Sequence, residues 1–192
     1  MDAIFTLPYS EYAAANMLAK AFKSTAGYSI FVPTSRTEKG VDLLLARRAG
    51  GLTRALTIQV KSSRTYVGTP AIRKVKNRRF KYYTWFNRFK VPPEADYFIL
   101  FGLFPANQDT SKKVAESWWQ SMCLVFSNQE MSEFMEKIKT KKGTPDNMFS
   151  FGFDTPKEIF LTRGNETNMQ LDYSKYRFDL QVKELRLALD SM

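Results

Sequence analysis

Two runs, Gly40-Val-Asp-Leu-Leu-Leu45 and Thr57-Ile-Gln-Val-Lys-Ser-Ser63, decide how this chain folds. They belong to two β-forming segments, 41–47 and 55–61, that flank Gly50-Gly51, a residue pair favoured in two-residue hairpin turns. Paired antiparallel about that turn, they set Asp42 directly opposite Gln59, with Cβ atoms roughly 4.5 to 5.5 Å apart, and the period of two puts Gln59 and Lys61 on one face of their strand. A carboxylate, an amide oxygen and an ammonium therefore converge. Such a set holds a hard divalent cation through oxygen atoms, beside a cationic group that can face an attacking water or a phosphate.

Composition limits the chemistry. Histidine is absent and Cys123 is the single cysteine, which removes zinc sites, Ser-His-Asp and Cys-His catalysis, and imidazole bases. Cys123 lies in the apolar run Met122-Cys-Leu-Val-Phe126 and reads as a buried reduced thiol. Any reaction must use carboxylates, lysines, hydroxyls or a bound metal. At 192 residues, 44% hydrophobic and 15% aromatic, the chain suits one well-packed domain. The formal charge of +10, from 29 basic and 19 acidic residues, fits a polyanionic partner. Charge alone leaves nucleic acid, an anionic membrane surface and an acidic protein open. The opening MDAIFTLPYSEY has neither a basic nor an apolar leader region, and no apolar run approaches the roughly 20 residues that span a bilayer. A cytoplasmic location with no membrane partner is the expectation.

Along the chain, 10–24 reads as a helix capped by Ser10 and stopped at Gly27. Its apolar stripe through Phe22, Leu18 and Ala14/Ala15 extends back to Glu11, which is either an acid turned toward the body of the protein and a candidate metal ligand or a first-turn glutamate in solvent beside the helix dipole. Tyr28 to Pro33 is a short strand, and 96–104 and 121–126 are nearly continuous apolar runs, suited to strands buried on both faces with helices above and below. Ser127-Asn-Gln-Glu130 is a capping box opening a helix to about 139, with Met131, Phe134, Met135 and Ile138 inside. A last helix over about 173–190 carries Phe178, Val182, Leu185 and Leu189 on one side. The segment 143–170 is punctuated by Gly, Pro and Asn, with one strand candidate at Met148 to Phe153 and no assignment for the rest.

A helix bearing an acid, a strand, then strand-turn-strand with Gly-Val-Asp-Leu-Leu and Ile-Gln-Val-Lys-Ser-Ser resembles the PD-(D/E)xK nuclease superfamily over residues 11–63. The resemblance implies a restriction-endonuclease-like α/β fold, a central mixed β-sheet flanked by helices, with a core over about 9–140 and a C-terminal extension with an extra helix over about 141–192. It makes Asp42 the motif aspartate, Lys61 the motif lysine and Glu11 the first-helix acid. Val41 stands where the motif has proline, and Gln59 replaces the second acid, a Gln-x-Lys variant found in the superfamily. Gln181-Val-Lys183 repeats the three letters inside the last helical pattern, where i and i+2 share no face.

The implied activity is hydrolysis of DNA phosphodiesters with magnesium, or manganese as its substitute, of the restriction, repair or Holliday-junction-resolvase type. Asp42, the Val60 carbonyl and Glu11 would hold the metal, and Lys61 would position the nucleophile or stabilise charge on the phosphate. Gln59 offers a carbonyl oxygen but no charge, so metal binding should be weaker than in a two-acid site. A resolvase or restriction enzyme would work as a homodimer, since two strands are cut. Alternatives are a nuclease-fold protein that binds nucleic acid without cutting, and a basic protein-interaction module.

Residues 73–90 hold eight basic residues interleaved with six aromatics. Arg73, Lys74, Lys76, Arg78 and Arg79 are the candidates for phosphate contact. Phe80, Tyr82, Trp85, Phe86 and Phe89 either join that track or pack into the core. Lys137, Lys139, Lys141 and Lys142 complement the end of the preceding helix, and Trp118-Trp119 either stack bases or, as is commoner before so apolar a strand, pack at the core or edge.

Overall fold

The hairpin forms in the expected register. The computed structural model of the chain describes residues 9–33, 40–68, 80–105, 119–164 and 170–191. Strands β1 (Tyr28–Phe31), β2 (Leu43–Ala49) and β3 (Leu52–Ser63) are consecutive and antiparallel, and β2 pairs with β3 from Leu43 opposite Ile58 to Ala49 opposite Leu52. Gly50 and Gly51 turn the chain at φ 58° and 84°. Two successive positive φ values are what a type I′ hairpin turn needs, and a Cβ opposes both.

Past Arg64 the chain continues as β4 (Thr65–Val67), which joins a different sheet together with β5 (Tyr82–Phe86). It returns as β6 (Tyr97–Pro105), parallel to β3 with Gln59 beside Phe98 and Lys61 beside Leu100, and then as β7 (Trp119–Ser127), antiparallel to β6. Asp96 sets the start of β6: its Oδ2 accepts from the Thr57 N–H at 2.7 Å and its own N–H donates to the Thr57 carbonyl at 3.0 Å. The result is a mixed five-stranded sheet in the order β1-β2-β3-β6-β7. The chain has a mixed α/β fold.

Helix α1 (Tyr9–Ala21) lies on one face of this sheet, burying Ala14 and Leu18 against Leu43, Leu45, Ile58 and Val60. Helix α2 (Asn128–Lys137) starts at the expected capping box. Glu130 N–H donates to Ser127 Oγ at 3.3 Å, and Ser127 N–H donates to Glu130 Oε2 at 2.9 Å. Met131, Phe134 and Ile138 are buried as the pattern predicts.

The other face of the sheet is covered differently from the expectation of helices above and below. Strands β8 (Phe149–Phe153), β9 (Ile159–Arg163) and β10 (Leu171–Asp172) join β5 and β4 in a second, antiparallel sheet ordered β10-β9-β8-β5-β4. This sheet, with α2, covers Phe98, Leu100, Met122, Leu124 and Phe126. The reason lies in the aromatics. Rings of Tyr82 and Phe104 meet at 4.8 Å, Phe104 and Phe153 at 5.1 Å, and Phe86 and Phe149 at 5.1 Å, filling the space between the sheets with stacked and edge-on pairs.

Helix α3 (Phe178–Ser191) packs beside α1, with Phe178, Leu185 and Leu189 buried. Arg47 pairs with Asp190, Arg54 Nη1 donates to the Asp190 carbonyl at 2.6 Å, and Arg186 Nη2 donates to the Ala21 carbonyl at 2.7 Å. The segment after about 141 thus supplies β8, an interior strand of the second sheet, and a helix docked on the first. Among the described residues no helix is long and apolar enough to cross a membrane.

The sheets come close at Gly102, where a Cβ would lie 2.6 Å from Thr84 Cγ2. Thr84 is fully buried and β-branched, so it has little room to yield. Gly102→Ala is therefore expected to destabilise by about 1–3 kcal/mol, the range for overpacking a tight core, read from urea unfolding midpoints. An unchanged midpoint would show that the sheets separate freely here.

Candidate active site

Strand β2 begins at Leu43, whereas β3 runs on to Ser63, so the last residues of β3 have no partner in β2. Asp42 sits at this notch. Its N–H donates to the Ile58 carbonyl at 2.9 Å, and its Oδ2 accepts from the Val60 N–H at 2.7 Å. The carboxylate takes the place of the next ladder carbonyl. In an extended strand the N–H and C=O of one residue point to the same edge, so the Val60 carbonyl opens toward the side where Asp42 stands.

Val60 and Ile58 face the helices, so Gln59 and Lys61 face the other way, as the period of two requires. Both line a cleft of about 340 Å³ whose far wall is the segment from Trp85 to Lys90. Gln59 is only 6% exposed, and its Oε1 has no hydrogen-bond partner among the described residues. An unmet buried acceptor costs about 1–3 kcal/mol, which marks it as a place where a bound group would be satisfied. Lys61 is half-buried.

Glu11 is half-buried in the first turn of α1, next to the buried Ser10 and one turn from Ala14. It approaches the sheet from the helix-covered face. Asp42, just before β2, is bonded to Val60 of β3, whose neighbours Gln59 and Lys61 face the cleft, and Glu11 approaches from the helix-covered side. Among the described residues no three Asp, Glu, His or Cys side chains cluster. The donor set at the notch is one carboxylate with neutral oxygens, which fits a hard cation held with low charge.

Arg73, Lys74, Lys76, Arg78 and Arg79 lie outside the described residues, as does Trp118. Of the aromatics that follow, Phe80, Tyr82, Phe86 and Phe89 are buried in the core, and Trp85 stands out at 40% exposure. Gln181-Val-Lys183 falls inside α3, as its helical pattern predicts. Cys123 is buried, and that burial, reinforced by Asp179, pushes its thiol well above the ordinary range, which suits a structural role.

The cleft's far wall is not apparent from sequence. Ser63 Oγ accepts from the Trp85 N–H at 2.7 Å and lies 2.8 Å from the Trp85 carbonyl, which ties β5 to the end of β3. Arg88 follows with φ 52°, a left-handed conformation uncommon for a side chain of its size, and Phe89 N–H donates to the Asn147 carbonyl at 3.0 Å. This brings Arg88 and Lys90 to the same cleft as Lys61. The alternation of Tyr82, Thr84 and Phe86 inward is the one signal that places Trp85 outward.

No family model, curated protein or solved structure matches the chain.

Proposed function

We propose that the chain is a magnesium-dependent DNA endonuclease whose site residues are arranged as in the restriction-endonuclease-like fold. The observation that carries the reading is the Asp42 carboxylate held 2.7 Å from the N–H of Val60, the residue between Gln59 and Lys61, whose side chains line one cleft. Asp42, the Val60 carbonyl and Gln59 Oε1 are the atoms that would hold the cation, without Glu11, which stands on the helix side of the sheet. Magnesium, when bound, supplies a polarised water at neutral pH and positive charge for the scissile phosphate. Asp42 is kept in place by its bond to Val60, so it enters the reaction already oriented. Lys61 presents its ammonium to the cleft, where it orients the attacking water or stabilises the charge that grows on the phosphate. Arg88 and Lys90 add phosphate contacts on the opposite wall.

A second reading, binding of nucleic acid without cleavage, is favoured by the low acidity of the site: among the described residues Asp42 is the sole carboxylate bonded into the β2–β3 notch. Incubation with linear, supercoiled and four-way-junction DNA, in magnesium, in manganese and in chelator, separates the two. Product that requires metal supports the nuclease. Tight binding with every substrate intact in both metals supports the second reading, and absence of both binding and product sinks the pair.

A further inference from the structure

Trp85 is a wall of two cationic clefts. The first is the cleft of Lys61, Arg88 and Lys90. The second, of about 370 Å³, is lined by Lys139, Lys141 and Arg163 as well as Trp85. The Arg163 guanidinium lies over the indole, 5.6 Å from the ring centroid, and only a long 3.4 Å contact joins it to Asp146 between partly exposed side chains. Among the described residues no carboxylate lines the first cleft, and Asp146 is the one acid lining the second. An aromatic ring exposed on a strand whose neighbours Thr84 and Phe86 are buried is thus bracketed by cations on both sides. Gln59, whose buried Oε1 is unmet among the described residues, also lines the first cleft.

We propose that the two clefts and Trp85 form one track for a single-stranded stretch of nucleic acid leading to the site on β3. A base stacks on Trp85, phosphates pair with Arg88 and Lys90 on one side, and with Lys141 and Arg163 on the other. The track deepens the nuclease reading and rests on it for the meaning of its inner end. The single strand follows from the indole. An exposed ring offers a stacking partner to an unpaired base, whereas the bases of an intact duplex already stack on one another and leave only phosphates for the cations. Interleaved cations and aromatics are the pattern that tracks an unpaired strand. A nuclease with such a track acts next to an unpaired segment, as at a branch, flap or junction.

The test is fluorescence anisotropy in chelator, with labelled oligothymidylate, oligouridylate and a duplex of equal length, on the full chain and its variants. The single strand should bind roughly tenfold more tightly than the duplex, and Trp85→Ala should weaken it about tenfold while leaving the duplex nearly unchanged. Trp85→Phe should retain most of the affinity, which separates stacking from a folding defect, and circular dichroism melting checks the fold of each variant. Lys141→Ala and Arg163→Ala should each lower the salt dependence by about one phosphate contact. Preference for oligouridylate keeps the track and assigns its strand to RNA. Equal affinity for duplex and single strand, or a neutral Trp85→Ala, overturns the proposal. Undiminished metal-dependent cleavage of flap and four-way-junction DNA by Trp85→Ala, with its oligothymidylate affinity unchanged, sinks the track and leaves the nuclease. Stacking lost in that variant, with no cleavage by the native chain in any metal, sinks the nuclease and leaves the track.

Discussion

Asp42→Asn is expected to lower metal-dependent DNA cleavage by at least about a thousandfold, some 4 kcal/mol of transition-state stabilisation, while the protein stays folded. The reasoning rests on the two tasks of one carboxylate. Its Oδ2 satisfies the N–H of Val60, itself buried, and its charge is the one acidic contribution at the notch among the described residues. Asparagine keeps a carbonyl oxygen for Val60 and loses the charge. The cost in stability should stay under about 1.5 kcal/mol, the difference between a charge-assisted and a neutral hydrogen bond. Asp42→Ala loses both and leaves the Val60 N–H unmet, so it should destabilise by a further ~1–3 kcal/mol. Lys61→Ala completes the comparison. The side chain is half-buried at the cleft and makes no ion pair among the described residues, so stability should change by less than about 0.5 kcal/mol. Cleavage should nevertheless fall about a hundredfold or more, the scale for removing one group aimed at developing charge. Quantified product in magnesium, set beside urea unfolding of the same preparations, reads both effects. Cleavage retained by Asp42→Asn would remove the metal site from this notch.

The contrast between what the chain reveals and what it conceals follows from the range of the interactions. The β2–β3 register is local: two glycines and a period of two define it, and it runs from Leu43 opposite Ile58 to the turn without slipping. The capping box at Ser127 is local too, and α2 begins there. The second sheet is not local. Phe86 pairs with Phe149 across a long stretch of chain, and a strand that is apolar throughout, such as β6, is equally content under a helix or under another sheet. Only the bulk of the facing rings decides which, and that depends on partners far along the sequence. The same holds for the site. Opposition of Asp42 and Gln59 follows from the register, but the carboxylate's bond to Val60 arises because β2 begins only at Leu43 and leaves the end of β3 without a β2 partner. The far wall exists because Ser63 clamps β5. Neither has a signature in spacing.

Gln59→Glu should make the stability of the protein depend on divalent metal. The native amide places a neutral oxygen in a position 6% exposed with no partner among the described residues. A carboxylate of the same shape there would be a buried charge, with Lys61 two residues along the same face and Arg88 and Lys90 across the cleft, and removing one such charge from water costs several kcal/mol even after relaxation, about 2–3 of which we expect to remain. In chelator the variant should therefore melt about 5–10 °C below the native chain. A divalent cation between the introduced carboxylate and Asp42 would cancel that penalty, and binding to the folded state alone stabilises as the logarithm of metal over its dissociation constant. Millimolar magnesium should accordingly restore most of the loss in the variant and shift the native chain by under about 2 °C. Gln59→Leu is the companion. It removes the unmet acceptor without adding charge, so it should melt at or above the native temperature and ignore magnesium. Recovery seen in the glutamate variant and absent from the leucine variant assigns the cation to the oxygen at position 59. A glutamate variant that melts alike in magnesium and chelator places any cation elsewhere, and with it the role of Asp42.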